Sequence, residues 1–152
     1  MAKVDPFLRF KCEILDDAVF EDVQGVWEPL WLLRGSGAIE GQSESQRQDF
    51  AERALRQLYD EGLIYFFRVP PWGDIGGSAD NEDLRLDSEA VHETLASGWW
   101  RGELGRDHPN IWWGPTAAGE AAANAPPEQI RALWESPESP APGTEAGPHA
   151  GR

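Results

Sequence analysis

The sequence predicts an α+β domain in which a few helices pack on a small antiparallel sheet, and three observations point there. Residues 43–69, SESQRQDFAERALRQLYDEGLIYFFRV, pass from an amphipathic helix into an aromatic and β-branched strand across a single glycine. A second strand, IWWGPT at 111–116, returns after a polar stretch and a further short helix. At 152 residues, 40% hydrophobic and 26% charged, the chain suits one domain with a modest core. That domain is expected over residues 1–135. Residues 136–152, SPESPAPGTEAGPHAGR, lack apolar periodicity and read as a disordered Pro/Gly-rich tail.

The first segment carries two conflicting signals. Asp5-Pro6 has the form of a helix start, an Asp cap followed by proline at the first helical position. Leu8, Phe10, Cys12 and Ile14 then alternate with charged residues, the period of a half-buried strand, and this pattern slightly favours a strand over 7–14. Ala18, Val19, Val23, Val26 and Trp27 recur at helical spacing, which predicts a helix from about 16 to 26. Pro29 opens a short apolar helix through Leu33 that runs into the Gly35-Ser36-Gly37 turn.

The third helix, 45–61, is the best-defined element. Ser43 or Ser45 caps it, with Gln46 or Gln48 three residues on as the capping-box partner. Phe50, Ala51, Ala54, Leu55, Leu58 and Tyr59 form its apolar stripe, and Gly62 stands where a left-handed C-terminal cap belongs. A strand over 63–69 stops at Pro70-Pro71. Residues 70–83, PPWGDIGGSADNED, read as a loop rich in Gly, Pro and acid. Asp87 or Ser88 starts a helix carrying Ala90, Val91, Thr94 and Leu95 that Gly98 ends, and Leu84 and Leu86 suggest a brief strand before it. Thr116 caps a last main helix over 117–124, weakened by Gly119, with one or two more turns over 128–134.

Charge narrows the function. Against 13 Lys and Arg stand 27 Asp and Glu, a formal net charge of -14 that repels phosphate backbones. No apolar run is long enough to span a membrane, and MAKVDPFLRF lacks the apolar core of a signal peptide, so a cytoplasmic protein without membrane contact is expected. The single cysteine, Cys12, allows no intrachain disulfide and reads as a small half-buried apolar residue. His92, His108 and His149 have no spacing that suggests a catalytic triad or a metal site, so no enzyme, cofactor or metal is expected. The acidic group Asp74, Asp80, Glu82 and Asp83 lacks calcium-loop spacing and reads as solvated.

Eight tryptophans are the chain's most unusual compositional feature. Trp72, Trp99, Trp100, Trp112 and Trp113 are candidates for an aromatic contact patch. Adjacent strand residues face opposite ways, so one of Trp112 and Trp113 should enter the core while the other stays at the surface. On the polar face of the third helix, Arg47, Arg53 and Arg56 are the candidates for phosphate or guanine contact. The acids Asp49 and Glu52 stand four residues before Arg53 and Arg56, the favourable order for self-neutralising pairs.

FAERALRQLYDEGLIYFFR, LDSEAVHETLASGWW and IWWGPTAAGEAA together resemble a winged-helix domain, and more narrowly the small acidic winged-helix-like proteins of actinobacteria. The resemblance spans roughly residues 14–125. It implies a three-helix core, a β-hairpin wing, a helix inserted between the wing strands and a C-terminal helix. Families of this kind often act as transcription regulators, which is what the similarity implies by default. Acidity points instead to a non-enzymatic domain that contacts a basic protein, for instance as an immunity or antitoxin-type neutraliser. The alternative is a DNA-binding regulator that reads through the 45–61 helix.

Overall fold

Asp5 and Pro6 do start a helix. In the computed structural model, which describes residues 4–26, 28–29, 43–97 and 110–135, α1 runs Pro6–Glu21 with the Asp5 carboxylate accepting from the Phe7 N–H at 3.1 Å. The strand favoured for 7–14 is therefore corrected to helix. The alternation misled because α1 buries two sides. Phe10, Ile14 and Ala18, spaced by four, enter the core, while Leu8 and Cys12 turn toward a separate groove. The helix expected over 16–26 is corrected as well. α1 stops at Glu21, Asp22 takes a left-handed φ of 75°, and Gln24–Gly25 form a two-residue strand, β1. The expected short helix beyond Pro29 lies almost wholly outside the described residues.

The third helix of the sequence is α2 (Glu44–Asp60). Ser43 Oγ accepts from the Gln46 N–H at 3.2 Å, and Gln46 Oε1 accepts from the Ser43 N–H at 2.8 Å, a complete capping box. At the other end Gly62 has φ 77°, Gly62 N–H donates to Tyr59 O, and Leu63 N–H donates to Leu58 O. These two bonds make a Schellman motif, so the chain turns straight into β2 (Ile64–Val69).

β2 pairs antiparallel with β3 (Asn110–Pro115), and β3 pairs antiparallel with β1, so the strand order is β1-β3-β2 with β3 central. Phe66 lies opposite Trp113, and Phe67 opposite Trp112. Ile64, Phe66, Ile111 and Trp113 face α1 and α2 in the main core. Phe67 and Val69 form a smaller cluster on the other face with Ala79. Because both faces are covered, β2 reads as a nearly continuous apolar run and not as an alternating one.

What covers that second face is the segment expected to be a loop. Asp74 accepts from the Gly77 N–H at 2.9 Å and caps a short helix, α3 (Ile75–Ala79), whose Ser78 and Ala79 are buried. A 3₁₀ turn, Glu82–Leu84, follows, and Arg85 bridges to Phe67 along the β2 edge. Instead of the brief strand, a single bridge forms there. Next comes α4 (Ser88–Ser97), its Ala90 N–H capped by Asp87 at 2.8 Å. Thr116 caps α5 (Ala117–Asn124), and α6 (Glu128–Glu135) ends the described chain with Ile130 buried. Among the described residues, no helix is long and apolar enough to cross a membrane. The tail expected at 136–152 lies outside them.

Candidate functional site

The three arginines of α2 are all engaged by the chain itself. Arg56 donates from Nη2 to Glu52 at 2.8 Å, the i,i+4 pair expected from the sequence, and from Nη1 to His92 Nδ1 at 2.6 Å. A guanidinium can only donate, so His92 Nδ1 is the acceptor and the ring proton sits on Nε2, which lies 3.3 Å from Asp60 Oδ1. The imidazole is thereby held between a cation and a carboxylate, and its ring meets Tyr59 edge-on. Sequence reasoning missed this clasp, which joins α2 to α4 across 36 positions and leaves no local signal.

Arg53 lies over aromatic rings, its guanidinium carbon 4.0 Å from the Phe7 centroid and 5.6 Å from that of Phe50. Phe7 and Phe50 themselves meet edge-on at 5.3 Å, which joins the starts of α1 and α2. Arg47 reaches Glu44 at 3.6 Å and its Nε is closed off from solvent.

The tryptophan candidates separate. Trp113 is fully buried, so it is removed from the contact patch and belongs to the core. Trp112 is half-buried and packs against the clusters on both sides of the sheet. Its neighbour entering the core is the division that strand geometry required, but Trp112 does not stand clear of the surface. Trp99 and Trp100 lie outside the described residues. Trp72 is the exception, at 87% exposed.

Trp72 sits on a defined corner. Pro70, Pro71, Trp72 and Gly73 form a β-turn closed by the Gly73 N–H donating to Pro70 O at 2.9 Å. A Cβ on Gly73 would come within 3.1 Å of Pro70 Cδ and 3.2 Å of Ser78 Oγ, so the turn packs too closely for an easy side chain there. Ile75, at the start of α3, is also exposed. Asp74, Asp80, Glu82 and Asp83 are all exposed along the same segment, and the 3₁₀ turn packs against α3. The acidic group thus follows the Trp72 turn along one exposed segment.

A third feature is an apolar groove of about 180 Å³ between α1, the end of α2 and the Pro126-Pro127 corner. Cys12, Leu15, Leu58 and Trp134 line it, with Lys11 tied to Glu61 at 3.2 Å and Gln57 at 3.1 Å. Burial pushes the Cys12 thiol up to about 11, against the nearby Lys11 charge, in keeping with the inert apolar role read from sequence. On α1, burial first, and then the charges of Asp17 and Glu13, push the Asp16 carboxyl up to about 6. Among the described residues, no group of three His, Cys, Asp or Glu is gathered to hold a metal ion. Comparison with protein-family models, curated proteins and solved structures finds no match to this chain.

Proposed function

We propose that this chain is a non-enzymatic winged-helix-like domain that works through protein contacts and neutralises or docks a basic partner, as immunity and antitoxin proteins do. The winged-helix reading is supported by the strand order β1-β3-β2, by the tight Schellman turn from α2 into β2, and by β2 and β3 pairing as a wing would. On this reading α2 occupies the recognition-helix position, and α3, the 3₁₀ turn and α4 are the insertion between the wing strands.

The observation that carries the functional reading is the state of Arg47, Arg53 and Arg56. Arg53 is spent on Phe7 and Phe50 and Arg56 on Glu52 and His92, while Arg47 makes a looser ion pair to Glu44 at 3.6 Å. Phosphate binding would have to break these contacts against a net charge of -14. A basic protein gains from the same field, through faster encounter and complementary potential.

Fluorescence anisotropy of labelled mixed-sequence duplex DNA, at low and at physiological salt, tests the reading. The expected result is no binding at either. Binding that weakens steeply with salt and is lost on Arg53→Ala and Arg56→Ala substitution would overturn it in favour of a DNA-binding regulator.

A further inference from the structure

We infer that Trp72 is an anchor for cationic side chains, and that the partner surface it takes is an arginine-rich segment. This rests on the basic-partner reading above and adds to it a residue and a mode of contact.

Three observations converge on that corner. The first is exposure without looseness. Trp72 is 87% exposed, yet two prolines fix the backbone φ before it and the Gly73–Pro70 hydrogen bond closes the turn that carries it. A preorganised aromatic loses little conformational freedom on binding, which is what makes such residues effective anchors. The second is charge. From residue 70 to 89 the chain has Asp74, Asp80, Glu82, Asp83, Asp87 and Glu89 and only Arg85 as a cation. Arg85 lies over the Tyr65 ring, 4.1 Å from its centroid, so its guanidinium already has an aromatic partner.

The third observation is that this chain satisfies its own guanidinium groups on aromatic faces, Arg53 on Phe7 and Arg85 on Tyr65. Trp72 is the larger π-face and the better cation acceptor, and it is left to solvent. An exposed indole face carried on an acidic segment offers a planar guanidinium stacking on the ring and carboxylates of the same segment as charge partners. An ammonium gains less from the same site, because it is more strongly hydrated and cannot stack. An apolar partner would gain from the indole but would have to strip water from the carboxylates of the same segment.

The test uses the full chain, with labelled octa-arginine as the probe followed by anisotropy at low and at physiological salt. The wild type is expected to bind octa-arginine more tightly than octa-lysine. Trp72→Leu, which keeps an apolar side chain but removes the π-face, is expected to weaken octa-arginine binding by roughly 5- to 30-fold. The double variant Glu82→Gln, Asp83→Asn is expected to weaken both peptides and flatten the salt dependence. Equal melting temperatures across the variants would show that the fold is intact, as the exposure of all three positions requires. Octa-arginine bound as tightly by Trp72→Leu as by the wild type would overturn the anchor while leaving the basic-partner reading standing. No octa-arginine binding by the wild type, even at low salt, would overturn both.

Discussion

Replacing Gly119 by alanine should destabilise this protein although it puts a better helix former inside a helix. Gly119 lies in the first turn of α5, where a Cβ would sit 2.0 Å from the Leu63 carbonyl oxygen and 3.0 Å from its carbon. An ordinary carbon-to-oxygen contact is about 3.3 Å, so helix and strand would have to part by roughly 1.3 Å. The atoms in the way are backbone and cannot rotate aside. That same Leu63 oxygen accepts the Thr116 N–H at 3.0 Å, and Thr116 Oγ1 donates to Gly62 O at 2.7 Å while capping Gly119 N–H at 3.0 Å. Losing two of these bonds costs about 2 kcal/mol, at about 1 kcal/mol each. Overpacking adds about 2 kcal/mol. Helix propensity returns about 1 kcal/mol. The net expectation is a loss of about 3 kcal/mol, a fall in Tm on the order of 10 °C. Urea unfolding followed by far-UV circular dichroism measures it. Gly62→Ala is the comparison, since its added Cβ meets no atom within 4 Å but its φ is 77°. That substitution should cost only about 1–2 kcal/mol. If Gly119→Ala proves neutral or stabilising, or Gly62→Ala proves the more damaging of the two, the reasoning from close approach fails.

Two further outcomes follow from half-buried titratable groups on α1. The Asp16 carboxyl, raised in the folded state to about 6, binds a proton that the unfolded chain, at about 3.9, has released, so its contribution to stability falls as pH rises from about 4 to about 6. Asp16→Asn should therefore stabilise the protein at pH 7, by about 1 kcal/mol once solvent screening of this half-exposed group is discounted, and should flatten the pH dependence in that window. A variant less stable than the wild type at pH 7 would contradict this. Cys12, with its thiol pushed up to about 11, should react with a disulfide reagent at pH 8 on the order of 100-fold more slowly in the native protein than in denaturant. Equal rates in the two states would show that the thiol is neither buried nor suppressed.

Local chemistry made much of this fold legible. The capping box at Ser43, the stripe of α2, the left-handed Gly62 and the strand after it are interactions within a few residues, and each appears where the sequence indicates. Two of the expectations that the structure overturns trace to tertiary packing. Residues 7–14 show a strand's alternation because α1 is buried on two sides, whereas 70–83 read as a loop from their Gly, Pro and acidic content, and α3 is held there by the outer face of β2. For α1, burial on a second side removes the periodicity from which one-sided elements are recognised. The candidate site divides along the same line. That Glu52 would pair with Arg56 follows from spacing. That His92 would take the rest of Arg56, or that Arg53 would lie on Phe7, depends on elements brought together from elsewhere in the chain.

The sequence by itself determined composition, net charge and the helix-to-strand unit of residues 43–69, because these depend on residue identity and on neighbours along the chain. Tertiary structure alone decided three matters. It sent Trp113 to the core and left Trp72 in solvent. It turned Gly119 from a weak helix residue into a point of backbone contact. It also closed Arg53 and Arg56 of α2 onto partners from α1 and α4. Each depends on which surfaces meet when distant segments pack, and neither propensity nor spacing carries that information.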